Sequence, residues 1–97
     1  MKLITGKKLN KYLDLTTRAL KKVKIESGLS KIDNTRAKTY LEMSKNYLAD
    51  AQHFKKEGNW INSFAAVNYA HAWLDAGAII GLFDVEKDNV LFTVDPD

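Results

Sequence analysis

Apolar side chains recur along this chain at helical spacing in three blocks, and a glycine follows each block. In the first, Leu9, Tyr12, Leu13, Thr16, Ala19, Leu20 and Val23 share one face of a helix, with polar residues opposite. The pattern predicts a helix over 6–27 stopped by Gly28, which can adopt the left-handed conformation of a helix terminus without steric cost. In the second block Ala37, Tyr40, Leu41, Ser44, Tyr47, Leu48, Ala51 and Phe54 line one face. That helix is expected over 33–57, with Ser30 as a competing cap, and it ends in Lys55-Lys56-Glu57-Gly58. Asn59 reads as the cap of a third helix over 60–80. The short Gly58-Asn59 joint makes the second and third helices an antiparallel hairpin.

The third block is different, because it is apolar nearly all round. Ile61, Ala65, Tyr69, Ala72, Ala76 and Ile79 line one side, and Trp60, Phe64, Val67, Leu74 and Ala78 another. A helix of this kind is either central or carries a second interface. We read it as the core helix of an antiparallel up-and-down three-helix bundle, an all-α fold in a single domain spanning 1–97. The tail, 82–97, contains the strand-like run Val90 to Val94 before Pro96. With no strand expected elsewhere, the tail is predicted to lie extended on the third helix. Pairing with a second copy is the rival outcome.

Composition narrows the functional classes. The 97 residues make one small domain with a modest core. There is no cysteine, which excludes disulfides, thiolate metal sites and cysteine nucleophiles and fits a cytoplasmic setting. No apolar run is long enough for a signal peptide or a membrane span. The net charge of +3 is unevenly spread, at +7 over residues 1–32 and −5 over residues 58–97. Lys7, Lys8, Lys11, Arg18, Lys21 and Lys22 form a basic stripe opposite the first helix's apolar face. This is a candidate polyanion or RNA surface, although it lacks interleaved aromatics, and charge runs of this kind are usually solvated faces.

Asn68, His71 and Asp75 stand at i, i+3, i+7 and so share a face of the third helix. They form either buried locks or a polar site. His71 and Asp75 at i, i+4 suit an oriented general base or two metal ligands, but a metal needs three or four, so no metal or cofactor is expected. Buried polar side chains are nearly always paired, which favours locks, with Asn68 and Asp75 bonded to a tyrosine hydroxyl or a helix end. Ala65, Ala72 and Ala76 beside them leave room for a close backbone. Trp60, Phe64, Val67 and Leu74, with Leu91 and Phe92 of the tail, form a candidate partner surface for a second copy or another protein. Phosphate-binding glycine loops and nucleophile elbows are absent. These residues point to a non-enzymatic interaction or accessory module. The alternatives are a polyanion-binding module, or a small-molecule or metal-dependent enzyme centred on His71 and Asp75.

Residues 43–85, with Tyr47-Leu48, Asp50-Ala51, His53-Phe54, Gly58, Ser63-Phe64-Ala65, Tyr69-Ala70-His71, Trp73-Leu74-Asp75-Ala76-Gly77 and Gly81-Leu82-Phe83, closely resemble an archaeal domain-of-unknown-function family, number 357. Leu91-Phe92-Thr93-Val94 also fits the family pattern. The resemblance implies a small archaeal cytoplasmic three-helix protein with no assigned reaction. Part of the region is also similar to nucleotide-binding helical bundles of the HEPN class, whose ribonuclease members use an arginine followed by a histidine a few residues on. The third helix here has no arginine, so the fixed charge such a nuclease needs is missing.

Overall fold

The computed structural model describes residues 5–93 as three helices and a two-stranded clip. The first helix, α1, spans Gly6–Lys22 and starts where Thr5 Oγ1 accepts the amide of Lys8 at 3.1 Å. It stops five residues short of the predicted end. Val23 is already extended, and Lys24–Ile25 form a short strand, β1. Two β-branched residues in three favour extended backbone here, and β1 finds a partner distant in sequence. That partner is β2, Phe83–Asp84, paired antiparallel with Ile25 opposite Phe83. The Glu26 amide extends the pairing to the Leu82 carbonyl at 2.9 Å. Gly28, at φ 76°, sits in the turn that follows rather than capping α1.

The second helix, α2, spans Lys31–Lys56 and is capped by Ser30, which accepts the Asp33 amide at 3.1 Å. It therefore begins two residues before the expected start. Gly58, at φ 75°, turns the chain, and Asn59 caps the third helix, α3, which spans Trp60–Ile79. The helices run up, down, up. Gly6 lies against Trp60, and Thr16 bonds His71, so α1 and α3 are parallel neighbours. The described residues form an elongated body of 45 × 27 × 21 Å.

The core has two clusters along this long axis. Leu9, Leu13, Ala51, Ala66 and Val67 fill the end near the α2–α3 turn. Ala19, Ala37, Leu74, Leu82, Phe83, Val85, Leu91 and Phe92 fill the other, so the residues after α3 supply much of that core. The tail thus packs on α3 as expected, but as successive turns rather than a strand. Leu91 and Phe92 point inward, and Val90 is exposed. Val94 and Pro96 lie outside the described residues.

The close approach of α2 and α3 uses a different set of small residues from the one expected. Ser63, Ala66, Ala70 and Gly77 face inward on α3, opposite Ala37, Ser44 and Ala51 of α2. Ser44 donates to the Ala70 carbonyl at 2.8 Å, and Ser63 donates to the Ala51 carbonyl at 2.6 Å. Ala65 and Ala72 instead face solvent. No helix among the described residues is long and apolar enough to cross a membrane.

Candidate functional site

The middle turns of α3 aim His71 and Asp75 at the seam between α1 and the tail. His71 Nε2 lies 2.7 Å from the Leu91 carbonyl. A carbonyl only accepts, so Nε2 carries the proton and donates. With the ring neutral, Nδ1 accepts from the hydroxyl of Thr16 at 3.0 Å. Thr16 is itself buried. Both oxygens of Asp75 receive hydrogen bonds from Thr93, Oδ1 from the amide at 2.8 Å and Oδ2 from the hydroxyl at 3.1 Å. His71 Nε2 and Asp75 Oδ1 are 3.8 Å apart. The two residues lock α1, α3 and the tail together. Asp75 does this through Thr93, rather than through a tyrosine or a helix terminus. Asn68 stays exposed, with no side-chain partner among the described residues.

An open cleft of about 890 Å³ runs along this seam, with Tyr12, Thr16, Asn68, His71, Asp75 and the segment 89–93 in its walls. Its size suits a small ligand. Its chemistry is constrained, however, because a general base needs a free lone pair and an acid needs a free proton. Both nitrogens of His71 are already committed, and each oxygen of Asp75 is tied to Thr93 by one hydrogen bond. Every buried side-chain nitrogen and oxygen among the described residues has a partner. No group of three or more potential metal ligands occurs among those residues either. His53 is solvent-facing on α2 and pairs with Glu57 at 2.7 Å, whereas His71 is on α3.

A second anchor fixes the start of the tail. Asp88 accepts the amides of Val90 and Leu91 and the ammonium of Lys22, all within 2.9–3.0 Å. The Leu91 amide, followed by Lys22, holds the Asp88 carboxyl at about 2, below its ordinary 3.8. The same hydrogen bond raises Lys22 above its usual value.

The basic stripe of α1 is thereby divided. Lys22 belongs to the tail anchor, Arg18 faces Asp14 at 3.7 Å, and Lys8 sits over the Phe64 ring at 5.8 Å. Lys7, Lys11 and Lys21 remain exposed.

The expected partner patch needs correction. Val67, Leu74, Leu91 and Phe92 are core residues, because α1 and the tail close over that side of α3. Phe64 is half-buried against Tyr12, edge to face at 5.2 Å, and Trp60 is partly exposed. The bare side of α3 is the other one. Ile61, Tyr69, Ile79 and Ile80 are exposed by 66, 59, 63 and 59%, with Ala65 and Ala72 between them. Tyr69, expected in the core, stacks on Tyr47 at the α2–α3 rim with a 5.3 Å centroid separation. No exposed residue of α3 carries a charge, whereas the exposed faces of α1 and α2 are rich in lysine. The sequence shows this side as apolar, but periodicity alone does not say that an apolar side faces inward.

Residues 11–83 match the model of a family described as a protein of unknown function, DUF357. The chain belongs to the DUF357 family. No curated protein and no solved structure matches it. The DUF357 match ends at Phe83, so Thr16, His71 and Asp75 fall inside it. Asp88, Leu91 and Thr93, which complete the two anchors, lie beyond it.

Proposed function

We propose that this DUF357 protein is a non-enzymatic interaction module that docks an apolar partner through the outer face of α3. One observation carries this reading: α3 exposes Ile61, Tyr69 and Ile79, continued by Ile80 at its C-cap, and no exposed residue of the helix carries a charge. A solvated helix face is normally polar, and contiguous apolar exposure of this kind marks interaction surfaces. The rest of the molecule supports the reading. His71 and Asp75 act as locks, and the tail they hold covers the opposite flank of α3. The enzyme reading requires those locks to open. The polyanion reading rests on Lys7, Lys8, Lys11 and Lys21, of which the first three line a small open cleft with Thr5 and Tyr12. A cytoplasmic setting is part of the proposal, supported by the absence of cysteine.

The test is retention of partners by immobilised wild-type protein, compared with an Ile61→Asp/Ile79→Asp variant whose helicity is checked by circular dichroism. Loss of the retained species in the folded variant is the expected result. Retention that ignores both substitutions would end the proposal.

A further inference from the structure

We infer that the partner of the α3 face is a second copy of this chain, with the two α3 helices packed antiparallel about a two-fold axis near residue 70. This rests on the interaction-module reading above and adds the identity of the partner. Three observations carry it.

The first is the symmetry of the stripe. Ile61 and Ile79 are equidistant from residue 70, Ala65 and Ala76 from a point half a residue further on. A two-fold interface must be self-complementary. In an antiparallel pair, each isoleucine meets its counterpart at the opposite end, and alanine meets alanine between them. The small central residues allow the axes to approach to about 8 Å.

The second is charge. The stripe has none, so a charged peptide or a polyanion finds nothing to pair with. The borders are complementary when the helices oppose. Lys8 lies over Phe64, and the two-fold relation sets position 64 against position 76, beside Asp75 of the other copy. α3 also has no acid in its first turn and no base in its last, so its dipole ends lack side-chain compensation. α2 already sets each end of α3 against its opposite, and an antiparallel α3 from a second copy adds to that.

The third is area. Ile61, Tyr69, Ile79 and Ile80 each expose on the order of 100 Å². With the alanines and Asn68, each copy offers roughly 600 Å². Two copies then bury about 1,200 Å², the lower bound for a specific interface. A dimer that dissociates on dilution is therefore expected.

The test combines sedimentation equilibrium with disulfide trapping, and the natural chain has no cysteine to interfere. Wild-type protein is expected to shift from monomer to dimer as concentration rises. Ile79→Asp, with unchanged helicity, is expected to raise the midpoint at least tenfold. The Ala65→Cys and Ala76→Cys single variants are mixed and oxidised. The antiparallel pair predicts the mixed disulfide well beyond the roughly twofold excess over either symmetric one that random pairing gives, and a yield at that random level would overturn the inference. Symmetric products in excess would mean parallel helices and would overturn the inference. A wild-type chain that stays monomeric at every concentration, with no cross-link, would overturn it too. If stripe-dependent retention of another protein persists in that case, the module reading stands and only self-pairing is lost.

Discussion

Gly77 and Phe83 fit together only because residue 77 has no side chain. A Cβ on Gly77 would fall within the contact envelope of the Phe83 ring. The Leu82 amide, next to Phe83, bonds the Gly77 carbonyl at 2.8 Å, so chain reversal and ring seat form one unit. The Trp-Leu-Asp-Ala-Gly and Gly-Leu-Phe motifs therefore act together. The first supplies the seat, and the second brings the ring back onto it.

Gly77→Ala sets two effects against each other. Alanine gains about 1 kcal/mol of helix propensity over glycine. Overpacking a fixed ring in the core costs about 1–3 kcal/mol. Phe83 is buried and held by the β1 pairing, so the overpacking term should win. Urea denaturation should show a net loss of about 1 kcal/mol. The loss should shrink in a Phe83→Leu background, because the two sites share one contact. A Gly77→Ala protein more stable than wild type would refute this account of the motif.

Ser44 and Ser63 make a separate prediction. Each hydroxyl donates to a carbonyl of the facing helix from a fully buried position. Ser44→Ala should cost about 1 kcal/mol, since it removes a donor and leaves little void. Ser44→Leu should cost about 3 kcal/mol or more, because the side chain enters the α2–α3 contact itself. Equal stability of the two variants, measured by thermal denaturation, would mean that close approach is not what this position requires.

Much of the fold was legible locally. The α2–α3 hairpin follows from Gly58 and Asn59, whose turn and capping roles are short-range. The end of α1 was not, because Lys24 and Ile25 pair as a strand with Phe83 and Asp84, which lie far along the chain. The inward face of α3 was hidden for another reason. Where both sides of a helix are apolar, periodicity identifies the helix without orienting it. The buried serines of the α2–α3 contact carry the orientation, but only once their carbonyl partners are known. At the site, spacing grouped Asn68, His71 and Asp75. It revealed neither Thr16 nor Thr93, because those contacts depend on α1 and the tail converging.

Thr16→Val tests the lock at His71. The swap preserves shape but removes the hydroxyl that Nδ1 meets. A part-buried ring nitrogen without its partner should cost about 1–2 kcal/mol. The effect should vanish in a His71→Phe background, where no nitrogen is left to satisfy. An additive double variant would mean that Thr16 and His71 are not coupled.

The anchor at Asp88 gives the clearest dependence on pH. Its folded value, about 2, lies below the ordinary 3.8, so the folded state favours the carboxylate. The stabilisation is fully present above the unfolded value and is lost as pH falls through the folded one. The window therefore runs from about pH 4 to about pH 2. The tail should loosen there. Lys22 works at the other extreme. Its folded value is raised, so its share is complete below 10.5 and fades only above that. Asp88→Asn removes the charge while keeping an acceptor for the Leu91 amide. The gap in stability between wild type and Asp88→Asn should be flat from about pH 5 to neutrality and should close towards about pH 2. Hydrogen exchange at the Leu91 amide reads this directly, since that amide is the largest contributor to the shift. An unchanging gap across the acid range would show that Asp88 holds the tail by shape alone.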